Sequence, residues 1–280
     1  MIKLERPKKP SGFEKDPEIV AARGAIATIV SSGEAPESKA FADVWKKFKP
    51  AFLEAQYQGK CAFCETRFLA AYYGDVEHYR PKAMVKEAAK PGTRRDAPRE
   101  DRKRTWKSEE PWGYWWLAYA WDNWLASCKV CNSSWKGNQF PLFSGTRGAM
   151  VEGAEGSEEP ALINPFDVDP WNHIDFKPDG DVVGLTLEGK ATVEVVGLDR
   201  WSLVDERRGI AERLLDVMAD YVEAVTIDNQ KLIRRVLRDV AGYCAESAPY
   251  AGMCRWLVDE SPLLGGLRWT EVRDWVAQNP

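Results

Sequence analysis

The pattern of apolar and polar positions divides the chain into segments of different character. Residues 1–40 are polar, with Pro and Gly, and predict an arm followed by a short helix. Residues 41–57, FADVWKKFKPAFLEAQY, carry an amphipathic helical period that Pro50 interrupts. Residues 82–107 are poor in large apolar side chains and predict an exposed loop. Residues 113–125, GYWWLAYAWDNWL, are dense in aromatics and predict a buried helix leading into a loop. A Gly/Glu-rich stretch at 148–159 predicts a hinge. Residues 181–187 and 191–196 alternate around Gly189, as a β-hairpin would. From 202 to 243 a helical period runs through Leu203, Ile210, Leu214, Met218, Tyr221 and Val225, long enough for two helices. No internal repeat is present.

Composition narrows the class. The chain has 280 residues, 44% hydrophobic and 29% charged, ordinary for a globular protein of one large or two modest domains. No apolar run approaches the roughly 18–20 residues of a membrane span. The first residues, MIKLERPKKPSGFEK, lack the apolar core of a secretory signal, so a cytoplasmic, reducing location is expected. Six cysteines are too sparse for a disulfide scaffold and point instead to a metal.

The net charge of −4 conceals an asymmetry. Residues 1–150 hold 26 Lys/Arg against 18 Asp/Glu, whereas residues 151–280 hold 13 against 25. A basic half suits a polyanion, and an acidic half suits a protein partner or simply solubility. The loop 82–107 alone has ten basic and four acidic residues, and its 94–107 part could follow a nucleic-acid backbone or be only a solvated loop. A boundary near residue 150 separates the two regions, 1–150 and 151–280.

The candidate chemistry begins with cysteine spacing. Cys61 and Cys64 form one C-x-x-C, and Cys128 and Cys131 another. Two such knuckles supply four thiolates for a closed tetrahedral zinc site, which staples a fold rather than catalysing. An iron–sulfur centre or a redox pair are the alternatives. Cys244 and Cys254 have no such pattern and read as structural or free thiols. Between the knuckles lies DVEHYRPKA, residues 75–83, with one of only two histidines in the chain. On a strand, Glu77 and His78 point to opposite faces. Asn123 stands five residues before Cys128, and Asn132 directly follows Cys131. The other histidine, His173, reads as structural.

The order C-x-x-C, Glu-His, Asn-x₄-Cys-x-x-Cys-Asn-x₃-Lys resembles the HNH endonucleases with a zinc-stapled ββα-metal site. More narrowly, it resembles the HNH proteins of bacterial phage-defence operons, of Septu and retron type. The resemblance rests on KCAFCE (60–65), VEHYRPK (76–82), YWWLAYAWDNWLASCKVCN (114–132) and KGNQFPL (136–142). It continues weakly through LINPFDVDP (162–170) and GLDRWSLVDERR (197–208).

The resemblance implies a metal-dependent endonuclease hydrolysing phosphodiester bonds, of DNA first and RNA second. His78 would be the general base that activates water. Glu77 and Asn132 would bind a catalytic Mg²⁺ or Mn²⁺ through oxygen. Asn132 stands where many such sites have a second histidine, and it could instead cap the following helix. Asn123 would brace the loop and hold the His78 backbone. Arg80, Lys82 and Lys136 would contact phosphate, and Trp135, beside Lys136, is a candidate for base stacking. The implied partner is an AAA/ABC-type ATPase, docked on the acidic half. A catalytically degenerate zinc-stapled binding module is the competing class. The expected fold is α+β and mostly helical. A strand ends near His78, a second follows, a helix begins near Cys131, and helices and a hairpin form residues 151–280.

Overall fold

A computed structural model of the protein describes residues 1–56, 59–69, 72–88, 106–143 and 151–279. Residues 89–105, most of the expected basic loop, therefore lie outside the described residues, as do residues 148–150 of the expected hinge. The architecture is α+β, with seven α-helices among the described residues and three two-stranded sheets.

Helix α1 (Pro17–Ser31) starts where Asp16 accepts hydrogen bonds from the backbone N–H of Glu18 and Ile19, with Pro17 at the first helical position. Helix α2 (Trp45–Ala55) begins later than its period predicts and continues through Pro50. A proline inside a helix costs about 3 kcal/mol. Trp45 and Phe52 offset that by burying their rings in the core.

The aromatic stretch 113–125 corrects the helix expectation. It forms two short 3₁₀ turns, Trp115–Leu117 and Trp121–Asn123, and then enters strand β4 (Trp124–Ser127). Gly113 lies so close to Ala83 that an added Cβ would sit 1.9 Å from its carbonyl oxygen, which explains the glycine. The rings pack edge to face: Trp121 meets Phe13 at 5.3 Å and Phe52 at 4.6 Å.

Strand β1 (Asp75–His78) pairs antiparallel with β4, opposing His78 to Trp124 and Glu77 to Leu125. Strands β2 (Val85–Ala88) and β3 (Trp106–Glu110) form a second ladder. A seven-residue turn of wide helix, Val130–Lys136, follows β4 after Cys128 and Lys129.

The expected hairpin around Gly189 is also corrected. Strand β6 (Val182–Gly184) pairs back with β5 (Ile174–Phe176), and Leu187–Val196 is helix α3. Thr186 caps that helix through the Gly189 N–H, and Gly197, at φ 66°, ends it. The β-branched run in α3 mimicked a strand, and the cap decided against it. The long period beyond it forms two helices, α4 (Trp201–Thr226) and α5 (Gln230–Cys244), followed by α6 (Ala251–Glu260) and α7 (Trp269–Gln278).

One hydrophobic core runs across residue 150, joining Phe63 and Trp124 to Phe166, Leu198 and Leu257. Residues 151–160 are pinned rather than hinge-like. Trp116 Nε1 donates to Glu155 Oε2 at 2.9 Å, and Tyr114 Oη donates to Glu158 Oε2 at 2.7 Å. Among the described residues, no helix is long and apolar enough to cross a membrane.

Candidate functional site

The first knuckle is built against β4. Gln56 is fully buried; its amide nitrogen donates to the Ala126 carbonyl at 2.8 Å and its oxygen accepts the Ala126 N–H at 2.6 Å. The Ala62 N–H also reaches the Ala126 carbonyl, at 3.1 Å. Residues 61–64 are thus fastened to the strand that leads straight into Cys128 and Cys131.

The four sulfurs converge within 4.8 Å of one another, all buried. Sulfurs about 2.3 Å from one tetrahedral ion stand about 3.8 Å apart. Cys64 Sγ and Cys128 Sγ are 3.8 Å apart. The residues therefore fit a structural tetrathiolate metal site such as zinc. Each sulfur has a polar neighbour. The Cys128 N–H points to Cys61 Sγ at 3.3 Å, and the Cys131 N–H to Cys128 Sγ at 3.4 Å. Thr66 Oγ1 lies 3.2 Å from Cys64 Sγ, and Arg200 Nη1 3.6 Å from Cys131 Sγ. Cys244 and Cys254 stand apart from this cluster; burial pushes the Cys254 thiol up to about 12, which disfavours the thiolate.

His78 closes β1 with its ring in the core. Its Nε2 lies 2.9 Å from the Ala118 carbonyl oxygen, which also accepts the Trp124 indole N–H at 2.9 Å. A carbonyl only accepts, so Nε2 carries the hydrogen and Nδ1 the lone pair of a neutral imidazole. Trp45 meets the ring edge-on at 4.8 Å. Burial first, then the charge of Lys82, holds the imidazole well below its ordinary value of 6.5, against the opposing pull of the Ala118 hydrogen bond. It is uncharged at neutral pH.

Asn123 braces the chain just beyond His78. Its Oδ1 accepts the Arg80 N–H at 2.7 Å, and its Nδ2 donates to the Arg80 carbonyl at 3.0 Å and the Leu117 carbonyl at 3.1 Å. The clasped backbone is that of Arg80, two residues past the expected His78. The Asn123 carbonyl takes the intervening Tyr79 N–H at 2.9 Å.

The charged residues expected on substrate or metal are placed differently from one another. Lys136 is buried; its Nζ donates to Glu77 Oε1 at 2.5 Å and to the His78 carbonyl at 3.0 Å. It is thus an internal cation rather than a phosphate contact. Arg80 is buried between the rings of Tyr114 and Phe140 and paired with Glu158. Of these three, Lys82 is the one without an ion pair among the described residues; its Nζ lies 4.5 Å over the Trp45 ring, the ring that also touches His78. Burial lowers its pKa, and Glu77 and Asp43 oppose that.

Glu77 is less suited to a divalent ion than its sequence position implies. Burial raises its carboxyl, with Lys136 opposing, and that ammonium holds Oε1. Asn132 is half-buried, and its side chain makes no hydrogen bond among the described residues. Among the described residues the four cysteines are the only convergence of three or more potential His, Cys, Asp or Glu ligands. The arrangement of Glu77 and Asn132 therefore does not by itself fit a resident Mg²⁺ or Mn²⁺. Trp135 is not a stacking platform: it is buried against Gly197, where an added Cβ would sit 2.0 Å from its ring. His173 is structural, with Nδ1 2.8 Å from Thr186 Oγ1 at the cap of α3.

Sequence reasoning missed Gln56, Thr66, Arg200 and the Ala118 carbonyl. None carries a motif, and a backbone carbonyl has no sequence signal.

Two similarities to known proteins bear on this geometry. The chain is 33% identical over 162 residues to the Septu protein PtuB of Bacillus mycoides (strain KBAB4), covering 57% of this chain and 50% of PtuB. It is 27% identical over 163 residues to the Septu protein PtuA of the same strain, covering 56% of this chain and 20% of PtuA. The chain thus spans half the length of one relative and a fifth of the other. No family model matches the chain.

Proposed function

We propose that the protein is a nuclease of the HNH type that acts in a Septu-like bacterial anti-phage defence system, hydrolysing phosphodiester bonds of DNA with His78 as general base. The observation that carries this reading is the state of His78. A neutral imidazole is oriented by the Ala118 carbonyl through Nε2, at the end of a strand whose antiparallel partner runs into a four-cysteine centre and a helical turn. That order of strand, strand and helical turn, with the histidine on the first strand, is what the HNH resemblance leads one to expect. The similarity to proteins named for Septu supports the defence role, and the appearance of both PtuA and PtuB supports a system of more than one protein.

In this reading His78 Nδ1 takes a proton from water, and the water oxygen forms a bond to phosphorus as the P–O3′ bond breaks. The departing 3′-oxygen takes up a proton from solvent. Lys82, the cation beside His78 with no ion pair among the described residues, supplies positive charge to the phosphate oxygens. Asn123 holds the strand end in place. Cys61, Cys64, Cys128 and Cys131 would hold a zinc ion that staples the two knuckles, with no open coordination position for the chemistry.

One observation favours a second reading, a binding module that has lost catalysis: the pairing of Glu77 with Lys136 leaves its carboxylate engaged. Cleavage of supercoiled plasmid and of RNA in parallel, with Mg²⁺, Mn²⁺ or EDTA, separates the two. Cleavage by wild type that His78→Ala abolishes supports the nuclease. Its absence, with and without a co-expressed ATPase partner of the kind the resemblance implies, supports the module.

A further inference from the structure

Three of the four cluster sulfurs take their polar neighbour from the knuckles themselves. Cys61 and Cys128 accept backbone N–H groups of residues 128 and 131, and Cys64 lies beside Thr66. The fourth has no such neighbour: Cys131 Sγ faces the guanidinium of Arg200, which belongs to the corner between α3 and α4, about seventy residues away in sequence, and which also acts on Cys64.

That corner is built to hold the guanidinium still. Arg200 Nη1 also donates to the Gly197 carbonyl at 2.8 Å, and Arg200 is the residue that precedes helix α4. Gly197, in the left-handed region at φ 66°, packs flat on Trp135, which sits in the turn that carries Cys131. Arg207, two turns along α4, is buried and borders the same small cavity as Cys64. Two cations from the region beyond residue 150 thus face the sulfur cluster.

Charge explains why this matters. Four thiolates around one Zn²⁺ carry a net charge of −2 in a buried place. A buried negative charge is costly unless countered. Arginine is suited to the task because it always carries its charge, and a charge-assisted N–H···S contact holds the sulfur in place and draws negative charge away from it.

We propose that Arg200 is a positioning residue for the metal: its guanidinium fixes Cys131 and offsets the cluster's surplus negative charge, so that metal retention is governed by the α3–α4 corner. This rests on the zinc reading above and not on nuclease activity. Anything that displaces the corner, a docked protein included, would loosen the staple on which β4 and the Cys131 turn depend.

The test is zinc release from the full-length protein into a chromogenic chelator, with metal content measured beforehand by mass spectrometry. Loss of an outer partner of a metal ligand typically weakens retention about 10- to 100-fold. Arg200→Met is expected to release zinc at least about tenfold faster than wild type. Arg200→Lys, which keeps the charge without the planar fork, is expected to fall between them and covers the case in which the methionine variant does not fold. Release from either variant at the wild-type rate overturns the proposal. Wild-type protein with no zinc overturns the metal reading beneath it, and is distinguished by the metal content alone.

Discussion

Lys136 Nζ lies 2.5 Å from Glu77 Oε1, and both side chains are buried. The pair ties the helical turn after the second knuckle to strand β1 beside His78. Removing one member of a buried pair typically costs about 3–5 kcal/mol, because the other charge is left alone. Lys136→Met is therefore expected to destabilise the protein strongly. The double variant Glu77→Gln/Lys136→Met should recover much of the loss. Denaturant unfolding of the two single variants and the double one measures the coupling. Strict additivity, within about 0.5 kcal/mol, would mean that the pair does not act as a unit.

His78 predicts a pH dependence with a definite sign. Its folded value lies below the ordinary 6.5, so below pH 6.5 the unfolded chain takes up a proton that the folded chain refuses. Its contribution is fully present above that pH and is lost as pH falls toward the folded value, by up to about 1.4 kcal/mol per unit. Glu65, held at about 2 by the α-amine of Met1 and Lys60 against burial, acts only in the lower window below 4.5. Urea midpoints at pH 7.5 and 5.5 should therefore converge in His78→Gln relative to wild type. An identical drop in both proteins would place the proton elsewhere.

Asn123→Ala removes three hydrogen bonds, two of them buried, and leaves the Arg80 backbone groups without their partner. The expected loss is about 2–4 kcal/mol, at roughly 1–3 kcal/mol for each unsatisfied group with partial relief by water. Thermal unfolding checks it. Asn123→Asp restores the acceptor but not the donor, and it should fall between the two.

Removing the metal should act on the fold. Prolonged exposure to a strong chelator, or Cys128→Ser, is expected to lower the thermal midpoint by well over 10 °C, since structural zinc contributes folding free energy directly. A midpoint unchanged by full demetallation would leave the cluster without a stapling role.

The sequence made some of this legible and hid the rest. The four cysteines were readable because C-x-x-C spacing is itself a local geometry, and they converge as expected. Asn123 was readable as a brace, though it clasps Arg80. Lys136 and Arg80 misled because a basic residue in a basic region reads as exposed, whereas each has a buried carboxylate partner 59 and 78 residues away. The segment 187–196 misled because Val193, Val195 and Val196 favour a strand, and the cap at Thr186 is a weaker signal than the alternation. The aromatic run misled because its burial serves edge-to-face packing around Trp121 rather than one helical face. Arg200 was invisible, since its target is a sulfur in the other half of the sequence.

The most direct test of the account is cleavage of supercoiled plasmid by purified protein, wild type beside His78→Ala, across Mg²⁺, Mn²⁺ and EDTA. Loss of a single general base typically costs about 10²–10⁴-fold. Wild type is expected to nick and the variant to lose activity by that order, with zinc content preserved and the variant still folded at the assay temperature, its thermal midpoint lowered only by the loss of a buried ring. Equal cleavage by both proteins would contradict it, because the activity would then belong to some other group than His78.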